Sequence, residues 1–272
     1  MLKRWFKKAF WLLVLLLIAG SVFQYFFPTA GLGVLEVTGG IYHSDDLIRE
    51  INELRKDTRI KGVLVRIDSP GGTVAASQEI FESLKKLSAE KPVVASMGSV
   101  AASGGYYVAL AAKEIFANPG TITGSIGVRM EHINVSELLE WAKIHYESLK
   151  SGELKDIGSP QRTMTPEEKK MLEGMLGEIH TQFKKTVAAE RKISIQEVEA
   201  VADGRILTGE QAKNHKLVDA LGGLEMAVAQ LQSLTGLQGE PNLIYKASQT
   251  PWWWHFLGQA KSLNKAWLPV FQ

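Results

Sequence analysis

Three apolar runs, "GVLEVTGGI", "KGVLVRIDSPGG" and "KPVVASMG", recur along the first hundred residues with helix-length charged segments between them. Each run reads as a strand. The segment after the first, "SDDLIREINELRKD", predicts a helix with Ser44 as its cap and Leu47, Ile51 and Leu54 as its apolar stripe. The segment after the second, "VAASQEIFESLKKLSAE", predicts another helix. Strands separated by helices of this length imply right-handed crossovers and a mostly parallel sheet, an α/β fold. In such sheets ligands bind in the loops beyond the carboxyl ends of the strands. Two of those loops here are "DSPGG" and "GSVAASGG", both rich in glycine and serine.

The second half is more helical and more charged. In "TMTPEEKKMLEGMLGEIHTQFKKTVAAERK" Thr165 caps, Pro166 takes the first helical position and Glu168 completes a capping box. Met171, Leu172, Met175, Leu176, Ile179 and Phe183 form its apolar face, read as packing. "SIQEVEAVADGRILTGEQAKNHKLVDALGG" predicts short helices joined by the "DGRILTG" turn. No repeat or low-complexity linker interrupts 29–240, which is read as one domain.

The first residues are of different material. Lys3, Arg4, Lys7 and Lys8 precede an apolar run from Phe10 to Phe27. Eighteen helical residues span roughly 27 Å, the thickness of a bilayer's hydrocarbon core. Residues 1–28 are therefore read as a basic cytoplasmic segment and a transmembrane anchor, with the rest of the chain extracytoplasmic. The competing reading is a cleaved signal peptide, with Ala19 and Ser21 at the −3 and −1 positions of the cleavage site. Residues 241–272 form a tail in which Trp252, Trp253 and Trp254 suit either a membrane interface or packing on protein.

The chain has no cysteine, which excludes disulfides, thiolate metal sites and a cysteine nucleophile, and a net charge of +2 says nothing for a nucleic-acid partner. Six histidines are present, at 43, 132, 145, 180, 215 and 255. None lies in a glycine-rich loop, His180 and His215 are read as solvated or packing residues, and no zinc-binding spacing occurs. There is no G-x-S-x-G elbow and no Walker loop. A nucleophilic serine without histidine needs another base, and a lysine kept neutral by desolvation can serve. Lys155, in "SLKSGELKDIGSP", stands apart from the helical charge patterns in a loop marked by Gly152, Gly158 and Pro160.

In order and spacing, "DSPGG", "GSVAASGGYYVA", "NPGTITGSIGV", "SGELKDIGSP" and "ADGRILTGEQA" resemble the signal peptide peptidase A family of membrane-bound serine proteases, in its short single-repeat form. The likeness covers roughly residues 32–235. It implies a crotonase/ClpP-like fold of repeated ββα units, with Ser103 of A-S-G-G as nucleophile and Lys155 of the S-G-x-x-K-D-I motif as general base. Ser125 of T-G-S-I-G is implied to hydrogen-bond that lysine. No cofactor and no metal are implied.

The physics of the "ASGG" turn agrees. A helix N-terminus favours developing negative charge, and Gly104 leaves its N–H open to a substrate carbonyl. A second donor would come from Gly71 or Gly72; the resemblance favours Gly72. Ala101 and Ala102 suggest shallow pockets for small or apolar side chains, and a membrane tether suits remnant signal peptides. One copy of each motif agrees with a homo-oligomer in which serine and lysine come from neighbouring subunits. The rivals are a crotonase-fold acyl-CoA enzyme, which would use Glu or Asp as base, and a catalytically silent membrane scaffold.

Overall fold

The computed structural model describes residues 30–245 together with positions 11, 14 and 15. The anchor expected in 1–28 therefore lies, apart from those three positions, outside the described residues, as does the tryptophan-rich part of the tail. Among the described residues no helix is long and apolar enough to cross a membrane.

The three apolar runs form β1 (Gly31–Ile41), β2 (Ile60–Gly72) and β3 (Val93–Ala102), with α1 (Asp45–Lys56) and α2 (Val74–Glu90) between them. β1 pairs with β2 and β2 with β3, all parallel. Leu35, Val63, Val65, Ile67 and Met97 are buried in the main core, as central strands covered by crossover helices must be. Ile51 and Leu54 of the predicted α1 stripe are buried and Leu47 packs against the core. Ser44 stands at the start of α1 without capping it; its hydroxyl donates instead to Glu79 of α2. Both glycine-serine loops begin later than predicted: β2 runs through "DSPGG" as far as Gly72, and β3 runs to Ala102.

β3 is shared between two neighbours. Its first half, from Val94 to Ser96, pairs with β4 (Glu114–Ala117), and its second half, from Val100 to Ala102, pairs with β5 (Ile122–Gly124). Between β3 and β4 lies α3 (Gly104–Ala109), six residues long and buried throughout. The sheet order is β6-β5-β3-β2-β1-β8, with β4 branching from β3 and β7 lying beyond β4. Four of these strands were not predicted, β5 among them. β6 (Ile206–Thr208) replaces the "DGRILTG" turn and pairs antiparallel with β5. β7 (Ala220–Leu221) pairs parallel with β4, and β8 (Leu243–Tyr245), from the segment assigned to the tail, pairs parallel with β1.

Beyond β5 the chain leaves the sheet through α4 (Ser136–Trp141), which buries no residue, and returns along α5 (Pro166–Arg191). The capping box of α5 is as predicted, with Thr165 Oγ1 accepting from the Glu168 N–H at 3.2 Å and Glu168 Oε2 accepting from the Thr165 N–H at 2.8 Å. Its apolar face is only partly used. Phe183 and Val187 are buried, whereas Met171 and Met175 are exposed, because the first half of α5 stands clear of the sheet. α6 (Ile195–Glu199), α7 (Gly209–Asn214) and α8 (Leu224–Thr235) complete the chain, and α8 covers a second core cluster with Leu64, Val94 and Phe116.

Candidate active site

β3 ends at Ala102 and α3 starts at Gly104, so Ser103 alone makes the connection. Its backbone sits at φ 51°, ψ −119°, a conformation that costs a residue with a Cβ about 1–3 kcal/mol. The surroundings hold it there. The Ser103 N–H donates to the Gly124 carbonyl and the Ser103 carbonyl accepts from the Tyr107 N–H, each at 2.9 Å. The hydroxyl makes no capping bond to α3. A strained turn of this kind lifts a serine side chain off the sheet and aims it outward.

Glycines crowd this turn. Gly71 has φ 103°, and a Cβ on it would lie 2.6 Å from the Gly104 nitrogen. A Cβ on Gly72 would lie 2.0 Å from the Ile41 carbonyl oxygen, and one on Gly104 would lie 2.3 Å from Ser77 Oγ. Close packing against backbone therefore demands glycine at 71 and 72, while at Gly104 the nearest obstacle is the Ser77 hydroxyl. The same closeness sets the backbone of Gly72 beside Gly104 next to Ser103, since the Gly104 Cβ position is 3.2 Å from the Gly72 nitrogen. As the first residue of α3, Gly104 has no intrahelical acceptor for its N–H.

Ser103 lines a cleft of about 510 Å³ whose walls include Gly71, Gly72, Ser125, His180 and Asp203. Ser125, directly after β5, also has φ 51° and donates its N–H to the Arg205 carbonyl at 2.8 Å. Two of the sequence-predicted serines thus meet in one cleft with both predicted glycine loops. A smaller recess of about 30 Å³ shares Ser103, Gly72 and Gly104 and is walled by Val74, Tyr107, Val128, Ile179 and Phe183. These side chains, not Ala101 and Ala102, shape the apolar pocket. Both alanines are buried in the pairing of β3 with β5.

His180 was read as a solvated or packing residue, yet it faces the cleft. Its Nε2 lies 3.2 Å from the Ile126 carbonyl, which as an acceptor requires the proton on Nε2, and so ties α5 to the segment after Ser125. The clue in the sequence was spacing: His180 precedes the buried Phe183 and Val187 by three and seven residues, on the same helical face. Asp203, also in the cleft, accepts from Arg205 Nε at 2.7 Å and Nη2 at 2.6 Å. Those bonds hold its carboxyl down to about 2, so it is a paired anion rather than a proton acceptor. Among the described residues no cluster of His, Asp or Glu could hold a metal ion.

Lys155 is not in this cleft. It lies in a turn-rich segment after α4 and is exposed. That segment is held by charge. Asp156 accepts from Lys150 Nζ at 2.5 Å and from Arg162 Nε and Nη2 at 3.0 and 2.9 Å, while Arg162 Nη1 donates to Glu168 at 2.8 Å. Glu168 is buried at the start of α5, roughly 18 Å of helix before His180. The same arm exposes Leu138, Trp141, Ile144 and Leu149, the last at 93%.

Residues 85–238 match the model of peptidase family S49, and residues 37–121 match that of Clp protease. A Synechocystis sp. protein with a provisional protease name is 44% identical over 204 residues, which are 75% of this chain and 74% of that protein. The chloroplastic serine protease SPPA of Arabidopsis thaliana is 37% identical over 198 residues, 72% of this chain and 29% of that protein. A provisionally named signal peptide peptidase SppA of Enterococcus faecium is 35% identical over 210 residues, 77% of this chain and 61% of that protein. The chain thus spans less than two thirds of the Arabidopsis and Enterococcus relatives. With a Clp-protease-like α/β sheet beneath a serine-lined cleft, this chain belongs to peptidase family S49, the signal peptide peptidase SppA family, and is a serine protease.

Proposed function

We propose that the chain is a membrane-tethered endopeptidase in which Ser103 is the nucleophile and Lys155 of a second copy is the general base. The observation that carries this reading is the split between the two residues. Ser103 stands strained at the cleft with Ser125 and the glycine amides, while Lys155 is exposed on an apolar arm outside it. An arm that leaves Trp141 and Leu149 in water suits burial against a neighbouring copy.

In the assembled site the neutral Lys155 amine takes the Ser103 hydroxyl proton as Oγ attacks the scissile carbonyl carbon. The Gly72 and Gly104 N–H groups receive the oxyanion. Collapse breaks the C–N bond, the lysine ammonium protonates the leaving amine, and an acyl ester remains on Ser103. Water then attacks the ester, giving its proton to Lys155; collapse breaks the ester C–O bond as the Lys155 ammonium returns that proton to Ser103 Oγ, and the acid leaves with the serine and the neutral amine restored. Ser125 hydrogen-bonds the lysine and holds it over Ser103. The small apolar recess beside Ser103 suits short apolar side chains, and an N-terminal anchor at 1–28 would hold the domain outside the cytoplasm, at the membrane where remnant signal peptides are left. The domain, read from the sequence as 29–240, would extend through β8 to Tyr245, with the rest of the tail at the membrane or on a neighbouring subunit. Asp203, the carboxylate an acyl-CoA enzyme would need as base, is already bound by Arg205.

Ser103→Ala and Lys155→Ala, each alone, should abolish hydrolysis of an apolar peptide. Mixed one to one, the two inactive variants should regain about a quarter of wild-type activity, because in a ring of head-to-tail contacts that fraction of sites pairs an intact serine with an intact lysine. No recovery on mixing overturns the shared site, and full activity in either variant overturns the dyad.

A further inference from the structure

We propose that Arg162 is the positioning residue of the lysine arm: its guanidinium fork fixes Asp156, the residue next to Lys155, to Glu168 of α5 and so sets where the lysine amine is presented. The proposal rests on the reading of Lys155 as the base.

Arg162 holds Asp156 at three points, through Nε on one carboxylate oxygen, Nη2 on the other, and Nη2 on the Asp156 carbonyl at 3.3 Å. The other side of the same guanidinium donates to both carboxylate oxygens of Glu168. Glu168 is only 3% exposed, and a buried carboxylate is tolerated only when its lone pairs are engaged. Here Arg162 and the Thr165 N–H engage them. Successive turns then stiffen the backbone: Lys155 N–H to the Gly152 carbonyl at 3.1 Å, Ile157 N–H to Leu154 at 3.1 Å and Ser159 N–H to Asp156 at 3.0 Å. The ion pairs of this segment, from Lys150 and Arg162, both meet on Asp156. The neighbouring lysine side chain remains exposed with no ion pair among the described residues. A rigid mount beneath an unengaged amine is what a base delivered to another subunit needs. Orientation is settled before assembly, and a small misplacement of such a group costs up to a hundredfold in rate.

A planar fork can do this and an ammonium cannot, so Arg162→Lys keeps the charge and removes the geometry. The full chain in detergent would be assayed for peptide turnover, melting temperature and oligomer size as wild type, Arg162→Lys, Asp156→Asn and Lys155→Ala. Arg162→Lys and Asp156→Asn should each lower kcat by roughly ten- to a hundredfold with KM within about twofold of wild type. Acylation of Ser103 by a p-nitrophenyl ester, slow without the base, should fall no further when Arg162→Lys is added to Lys155→Ala. Unchanged kcat in Arg162→Lys with Lys155→Ala inactive overturns the positioning role alone, as does an equal further loss in the Lys155→Ala background. Full turnover by Lys155→Ala overturns the reading of the base and this proposal with it.

Discussion

The amide of Ser103 donates to the carbonyl of Gly124 at 2.9 Å, and so couples the turn at Ser103 to the turn at Ser125, two serines with the same φ of 51°. Gly124 itself has φ 75°, where a side chain is strained by about 1–2 kcal/mol. Gly124→Ala should therefore lower the melting temperature by several degrees and shift both serines together. Turnover should fall at least tenfold with KM little changed. Steady-state kinetics beside calorimetry checks this.

The recess walled by Ile179 and Phe183 is the narrower of the two spaces beside Ser103, at about 30 Å³ against about 510 Å³ for the cleft. The enzyme should prefer alanine over leucine next to the scissile bond. Ile179→Ala opens the wall and should raise the ratio of kcat/KM for leucine over alanine peptides by roughly ten- to a hundredfold. A pair of peptides differing at that one position reads the change.

Glu168 is held at about 2, first by the hydrogen bonds from Arg162 and then by the Thr165 N–H, against 4.5 for a free glutamate. Its folded-state value is depressed, so its contribution to stability is complete above about pH 4.5 and is lost as pH falls toward 2. The difference in melting temperature between wild type and Glu168→Gln should be constant from neutral pH down to that point and then shrink. Calorimetry at pH 7, 4 and 2.5 separates this from general acid unfolding.

Arg191, 8% exposed at its side chain, donates to both carboxylate oxygens of Asp219 at 2.8 and 2.7 Å, and Asp219 also accepts from the Ile115 N–H. Asp219→Ala strands a largely buried guanidinium and should cost about 2–3 kcal/mol, below the range for fully buried pairs because the aspartate is partly exposed. Turnover per folded molecule should be unchanged, since neither residue lines the cleft. Urea unfolding and active-site titration measure the two quantities separately.

What was legible in the amino-acid sequence was local. The strands β1 to β3, the α1 stripe and the Thr165 capping box are patterns within a few residues, set by burial and by a helix's own unpaired amides. β6 and β8 were missed because three-residue strands are defined by partners far along the chain, β5 and β1. The burial of α5 was overread because an apolar stripe does not say which half of a helix meets the sheet. His180 was passed over because its helix, not a glycine loop, carries it to the cleft. The two glycine-serine turns could be argued as a ligand site from turn chemistry, whereas the choice of Ser103 as nucleophile and of Gly72 over Gly71 came from family resemblance. Lys155 could be singled out only as a loop lysine; its role came from family resemblance, since the distance between an exposed arm and a cleft is invisible to spacing.

One helix runs from the buried Glu168, which anchors the lysine arm, to His180, which touches the wall of the cleft. Adding or removing a single residue between them would turn one end by about 100° relative to the other and move it by about 1.5 Å. Met171 and Met175, on the intervening turns, are exposed within the single chain, so exchanging them should change stability little. The stretch is thus a ruler: its composition can drift, but its length and phase must be inherited intact.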